Sequence, residues 1–440
     1  MKLESLLASR SGNHLLNQTA EISNPEEKIL ITVGVISVGD EILEGRVLDA
    51  HSQTISEKLL GTAAQVKWHL SVGDAPGELS AALQDKSSQA DWIIISGGLG
   101  PTEDDRTRQE VSNAFGLNLL EIPHVWDGIK NRMRAHGVEP AENNRRQAFF
   151  PEGARILENS RGSAPGFVIE DSSERKVFAL PGVPHEFKGM LSDFVLPEVA
   201  ALKGDVKSGE ILDFVAVPES KLDEWIAKRV PADVLYHICV RNWGQIEVRL
   251  PVGVSLTQEV KEEFKGHFLG TGGLSIEEHL IQSAIRSKMS LTTAESCTGG
   301  MISSRLVNVP GSSRVFPCGW VCYSNPSKTR ELDVDPRLMD LHGAVSQEVV
   351  EQMAQNARIK AGTDLAVSVS GVAGPDGGTS QKPVGTVWVA LSTRNSIASH
   401  CYQLNGDRTR IRGLTTNLAL LALHSMVRKQ EIPGWLPNPS

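Results

Sequence analysis

LTTAESCTGGMISSRLV, residues Leu291 to Val307, passes from an apolar strand through a glycine turn into a helix. The first amides of a helix have no intrahelical acceptor, so a strand-to-helix turn favours anions. Gly299 and Gly300 let a ligand approach the backbone, while Ser296 and Thr298 bring hydroxyls able to bond an oxyanion or attack a carbonyl. The spacing is neither the GxSxG elbow nor a phosphate loop, since no lysine follows the glycines. Helix capping by Ser296 and Thr298 explains the same residues without any chemistry.

The same strand, turn and helix rhythm extends on both sides. Helix IEEHLIQSAIRSK precedes it, and strands WVCYS, DLAVSVSG, GTVWVALS and IASHCYQL, with helices on SQEVVEQMAQNARIKAG and IRGLTTNLALLALHSMV, follow it. Upstream, ILITVGVIS and DWIIISGG read as buried strands, VLDAHSQTISEKLLG as an amphipathic helix, and KVFALPGVPHEFKGML as strand, turn and helix. Apolar strands alternating with helices predict parallel sheets covered on both faces. The predicted organisation is therefore an extension over 1–28, a doubly wound α/β domain over 29–202, a small α+β module over 204–273, a second α/β domain over 274–430 and an irregular tail over 431–440. The middle module is marked by helix PESKLDEWIAKRV and the alternating strand QIEVRLPVGV.

A chain of 440 residues with net charge −9 and pI near 5.8 is not built as a general binder of nucleic acid or membrane surfaces. Five scattered cysteines do not form a secreted disulfide framework, and a cytoplasmic setting is expected. Cys318 and Cys322 have the spacing of half a zinc site, but no second pair lies nearby, and packing as core thiols accounts for them. MKLESLLASRSGNHLLNQ lacks the apolar core of a signal peptide, and no apolar run reaches membrane-spanning length.

Around ESCTGG stand further groups with chemistry. PGSSRVF places Ser312 and Ser313 in a loop, and YSNPSK supplies Tyr323 and Lys328. A lysine held below its usual pKa by burial can act as general base for a serine, with a tyrosine relaying the proton. Alone, Lys328 reads as a solvated helix residue. A second glycine turn, Ser370 to Gly378, contributes Ser370, Gly371, Ala373 and Gly374, and GDRTRIR contributes Arg408, Arg410 and Arg412, a cluster suited to a phosphate. In the first domain Asp40, Glu41, Asp74, Asp104 and Asp105 recur at the carboxyl ends of successive strands, where doubly wound sheets place their crevice. Acids beside glycine-rich backbone suit a divalent metal on phosphate oxygens, although each acid singly can be a helix cap.

TTAESCTGG, PGSS, YSNPSK, HGAVS, SVSGVAGPDGG, KPVGTVWVAL and GDRTRIR, in that order across residues 276–428, resemble the C-terminal domain of the CinA family of competence/damage-inducible proteins. The resemblance implies a metal-independent nicotinamide mononucleotide deamidase, releasing nicotinic acid mononucleotide and ammonia. Its active site would hold Ser296, Ser313, Tyr323, Lys328 and Arg408, with the two glycine turns, Thr298, Gly299, Gly300, Ser370, Gly371, Ala373 and Gly374, lining the substrate. Either Ser296 or Ser313 could attack, and Cys297 is a third candidate nucleophile without a partnering histidine. GDEILEG, VGD, SGGLGPTEDDRT, NNRRQA, GSAPGF and LPGVPHE, across about 29–195, resemble the family's N-terminal molybdopterin-binding-like domain. That likeness implies a metal-dependent (Mg or Co) ADP-ribose pyrophosphatase, with Glu41, Asp74, Asp104 and Asp105 at the metal and Gly97 and Gly98 at the phosphates. His51 departs from the pattern, standing where the family usually has asparagine. The family also implies a homodimer and no membrane partner. Two other expectations compete: a molybdopterin-binding protein of cofactor metabolism, and a competence-associated accessory to nucleic acid, against which the acidic charge counts.

Overall fold

The computed structural model describes residues 31–171, 174–202 and 209–428. The expected extension over 1–28 and tail over 431–440 lie outside those residues. The chain divides into two units between Lys207 and Ser208, so the small middle module belongs with the C-terminal domain. No helix among the described residues is long and apolar enough to cross a membrane.

Runs of buried side chains build the first unit's sheet. Its strands are β1 (Ile31–Val38), β2 (Ala64–Val72), β3 (Trp92–Ser96), β6 (Arg155–Leu157), β7 (Gly166–Glu170) and β8 (Lys176–Leu180), in the order β2-β1-β3-β8-β7-β6; β4 (Leu119–Glu121) and β5 (Phe149–Pro151) form a separate ribbon. Every residue of β3 is buried, as a strand covered on both faces requires. Val33, Val35, Ile94 and Phe178 pack on one face with Ile55 and Phe187 from the helices Ala50–Leu59 and Pro184–Met190. Ile36, Ile93, Ile95 and Phe167 pack on the other, against Leu79, Leu83 and Val111. Strands β2, β1, β3 and β8 are parallel, while β7 and β6 run antiparallel. The departure from a fully parallel sheet follows from chain length: the few residues between Glu170 and Lys176 can turn a hairpin but cannot make a crossover.

In the second unit, β9 (Ile211–Val215), β10 (His237–Val240), β11 (Gln245–Arg249) and β12 (Phe268–Thr271) form an antiparallel sheet in the order β10-β11-β9-β12. The helices Glu219–Ala227 and Thr257–Glu263 cover it around Leu212, Phe214, Leu222 and Val260. The chain then builds β13 (Leu291–Glu295), β14 (Gly319–Val321), β15 (Leu365–Gly371), β16 (Thr386–Ser392) and β17 (Ile397–Gln403), ordered β14-β13-β15-β16-β17. Leu280 and Leu418, from the helices Ile276–Ser287 and Arg408–Val427, cover one face with Val367 and Val389. Val349 and Met353 of the helix Gln347–Ala361 cover Ala294 and Ala366 on the other. Strand β13 lies parallel to β14 on one side and β15 on the other, and β16 and β17 reverse direction. The chain leaves β13 toward β14 and leaves β15 toward β16, so connections diverge above the β13/β15 pair. That divergence opens a crevice at their carboxyl ends.

One packing contact in the first sheet is tight enough to test. Gly34 pairs with Trp68 across β1 and β2, and a Cβ at Gly34 would lie 2.1 Å from Cζ2 of the indole. Gly34→Ala is expected to cost about 2 kcal/mol by overpacking, seen as a lower urea midpoint for unfolding of the first unit. An unchanged midpoint would contradict this account of the β1/β2 contact.

Candidate active site

ESCTGG occupies the head of the β13/β15 crevice, and its anchor is Glu295. Glu295 is fully buried. Its carboxylate accepts from the Ile302 amide at 3.0 Å, the Ser303 amide at 2.8 Å, the Thr298 hydroxyl at 2.7 Å and the Ser303 hydroxyl at 2.7 Å. An acid at a helix N-terminus satisfies otherwise orphaned amides and the positive end of the dipole. The sequence expectation that these amides face a ligand, or that Ser296 and Thr298 cap the helix Met301–Val307, is therefore corrected. The last residue of the strand folds back and does the capping, because a buried carboxylate takes the strongest donors within reach. Ser296, Gly299 and Met301 also spend their amides internally, on Val369, Ser296 and Thr298 carbonyls. The amides of Cys297 and Thr298 are directed at the Cys297 sulfur, and the Gly300 amide has no hydrogen-bond partner among the described residues.

Lys328 is the second feature. It stands 1% exposed on the helix Asn325–Leu332, so the solvated alternative does not hold. Its Nζ donates to Ser296 Oγ at 3.1 Å and to the Cys322 carbonyl at 3.0 Å. No carboxylate pairs with it, and burial pushes its pKa below the ordinary lysine value. Ser296 is itself nearly buried. Ser313 sits exposed in the turn Ser312–Arg314, and no hydrogen bond joins it to Lys328 or Ser296. Burial pushes the Cys297 thiol up to about 12, which keeps it protonated and unreactive. Cys318 is exposed while Cys322 is buried, both as free thiols, so only Cys322 packs in the core as the spacing suggested.

Tyr323 is 61% exposed at the end of β14, and its hydroxyl accepts from Arg408 Nη2 at 2.8 Å. Arg408 Nη1 donates to the Gly374 carbonyl at 2.7 Å, which brings the second glycine turn, Tyr323 and the arginine together. Ser370 is buried and gives its hydroxyl to the Ala344 carbonyl at 2.8 Å; Ala373 packs in the core, and Gly371 closes β15 against Val387. Thr298 is spent on Glu295, and Gly299 and Gly300 hold left-handed backbone at the turn. Sequence reasoning assigned no role to Glu295 and did not foresee that Arg412 Nη2 holds the Thr298 carbonyl at 2.8 Å. An acid closing a strand directly before a helix start was the one available signal for the former.

In the first domain, Asp40 and Asp74 exchange backbone bonds: the Asp40 amide donates to Asp74 Oδ2 at 2.9 Å and the Asp74 amide to Asp40 Oδ1 at 3.1 Å. Burial, and then the charges of Asp40, Glu41 and Asp104, raise the Asp74 pKa. Hydrogen bonding within the Thr102–Asp105 loop holds Asp104 below the usual carboxylate value. Asp105 is occupied by the amide and hydroxyl of Thr102. Glu41 lies against Gly39. Among the described residues no group of three or more His, Cys, Asp or Glu side chains is placed to hold a metal ion. The acids gather, but they do not fit as a preformed ligand set. Gly97 and Gly98 follow β3 with Thr107 donating its hydroxyl to the Gly97 carbonyl at 2.8 Å. His51 packs where a smaller side chain was expected: its Nδ1 meets Ser96 Oγ at 2.6 Å, and its ring stacks on Phe187 at 4.0 Å. Burial lowers the pKa of that ring.

Residues 274–427 match the family described as CinA C-terminal domain, and residues 34–201 match that described as Probable molybdopterin binding domain. A CinA-like protein of Citrifermentans bemidjiense is 37% identical over 415 residues, covering 91% of this chain and 99% of its own. A CinA-like protein of Akkermansia muciniphila is 36% identical over 414 residues, with 91% and 99% covered. Among solved structures, a CinA superfamily protein of Klebsiella pneumoniae is 31% identical, covers 35% of this chain and 96% of that one, and has a TM-score of 0.34.

Four donors on one buried carboxylate make Glu295 sensitive to a single atom. Glu295→Gln turns an NH2 toward donors, and the expected loss is about 2 kcal/mol or more, measured as a lower thermal midpoint of the second unit. A midpoint equal to that of the unsubstituted protein would show that the turn does not depend on this carboxylate.

Proposed function

This chain belongs to the CinA family, and from that premise we propose that its C-terminal domain hydrolyses the carboxamide of nicotinamide mononucleotide to nicotinic acid mononucleotide and ammonia. The observation that carries the reading is the buried Lys328 bonded to Ser296. A lysine with lowered pKa, no counter-ion and a carbonyl orienting its second bond is suited to take the proton of a serine hydroxyl. In this scheme Ser296 Oγ attacks the amide carbon and its proton passes to Lys328. The resulting oxyanion is met by the unpaired Gly300 amide at the turn. Collapse breaks the carbon–nitrogen bond, and Lys328 returns the proton it took from Ser296 to the departing nitrogen, which leaves as ammonia. Water then hydrolyses the acyl ester and restores the serine. Arg408, joined to Tyr323 and Gly374, is the group proposed for the phosphate.

Ammonia release from nicotinamide mononucleotide, followed across pH, tests this. Activity is expected to rise with pH as Lys328 loses its proton, with a midpoint below the ordinary lysine value because burial lowers its pKa. Ser296→Ala and Lys328→Ala are each expected to lower the rate by about a thousandfold or more, and Ser313→Ala by much less. No ammonia from folded protein, or full activity in Ser296→Ala, would overturn the assignment.

For the first domain the proposed activity is divalent-cation-dependent cleavage of ADP-ribose to AMP and ribose 5-phosphate. Its support is the gathering of Asp40, Glu41, Asp74 and Asp104 at the carboxyl ends of the strands; burial first, and then the neighbouring charges, raise Asp74. Negative groups alone repel a pyrophosphate, so a cation is required for binding; no catalytic step is derived through it, because the side chains present are not arranged as its ligands. AMP formation should appear with added magnesium or cobalt, vanish with chelator and fall at least tenfold in Asp74→Asn. Absence of AMP with either cation would remove this activity from the protein.

A further inference from the structure

The chemistry above leaves the middle module unused, yet one of its side chains reaches the helix that carries the arginines. Trp243, in the link between β10 and β11, has φ 60° and ψ 32°, a left-handed backbone that a bulky residue adopts only where its surroundings compel it. The surroundings are specific. The indole lies on Gly413, where a Cβ would fall 2.1 Å from the ring carbon Cδ2. Only a glycine lets the ring seat there. The Trp243 carbonyl accepts from Asn417 Nδ2 at 2.7 Å.

Two short paths lead from this seat to ESCTGG. Gly413 follows Arg412, whose guanidinium holds the Thr298 carbonyl at 2.8 Å. Asn417 Oδ1 accepts from Arg305 Nη1 at 2.6 Å, and Arg305 Nη2 is paired with Glu277 at 2.6 Å. Arg305 belongs to the helix Met301–Val307, whose first amides bond Glu295. The indole thus bears on the turn through Gly413 and Arg412, while the Trp243 backbone carbonyl bears on the following helix through Asn417 and Arg305.

We propose that Trp243 is a positioning residue for the active site: the middle module, by seating this indole on Gly413, sets where the helix Arg408–Val427 presents Arg412 and so holds the ESCTGG turn in register with Lys328. The role rests on the proposed deamidation only for its kinetic readout, since the contact chain exists whatever reaction the turn performs. Coupling through packed and hydrogen-bonded neighbours of this kind must be shown by measurement.

The test uses the full chain with Trp243→Ala, Trp243→Phe, Gly413→Ala and the double variant Trp243→Ala/Gly413→Ala. Hydrogen exchange over residues 296–305 is one readout, and ammonia release is the other. Trp243→Ala is expected to speed exchange in that segment and to lower kcat, each by about tenfold, with KM little changed and exchange in β15 and β16 unaltered. Trp243→Phe should recover part of both effects. Gly413→Ala alone should be as damaging as Trp243→Ala, because its methyl displaces the indole, yet should add almost nothing in the Trp243→Ala background. Unchanged exchange over 296–305 in folded Trp243→Ala would overturn the proposal, as would additive losses in the double variant or a uniform rise in exchange across the unit. If the unsubstituted protein releases no ammonia while exchange responds as described, the deamidase assignment fails and the positioning role stands.

Discussion

The four hydrogen bonds accepted by the buried Glu295 carboxylate are the constraint on which the second domain's chemistry depends. They join the end of β13 to the first turn of the next helix. The turn between them has little freedom left. Ser296 is consequently held facing the interior, where Lys328 reaches it, and the Thr298 carbonyl is held facing Arg412. A carboxylate spent in this way cannot also repel an incoming anion strongly, since its charge is already met by amide and hydroxyl dipoles.

Burial then creates the reactive group. Lys328 sits among Cys297, Cys322 and Ser296 with no carboxylate partner among the described residues, and desolvation lowers its pKa below the ordinary lysine value. The same low-polarity setting silences Cys297, the group that by chemistry alone would be the stronger nucleophile. One environment therefore lowers the proton affinity of the lysine and raises that of the thiol beside it. In the first domain the balance is different: acids collect around Asp74, and no basic side chain bonds to its carboxylate.

Much of this could be read before any coordinates. The segments LTTA and WIIIS are strands buried along their whole length, and the glycine turns that follow them lie at the carboxyl ends of sheets. Other features escaped. The antiparallel edge of β6 and β7 was not anticipated, because hairpin and crossover are distinguished by how a segment pairs rather than by its own pattern. Lys328 looked like a surface residue because a helix as polar as NPSKTREL shows no apolar stripe to place it. Nothing in the sequence marked Gly413 as the seat of an indole from another module.

The sequence by itself determined the α/β class, the order of the domains and the set of groups available for chemistry, since periodicity and turn residues act over a few neighbouring positions. Its motif order also carried the family. Tertiary structure alone decided which groups meet: Ser296 rather than Ser313 at Lys328, Glu295 rather than a ligand at the helix start, Arg408 at Tyr323, Trp243 at Gly413. Those pairings join residues dozens to more than a hundred positions apart, or turn on burial that no local pattern encodes. Burial, in turn, sets the proton affinities on which any reaction at the site depends.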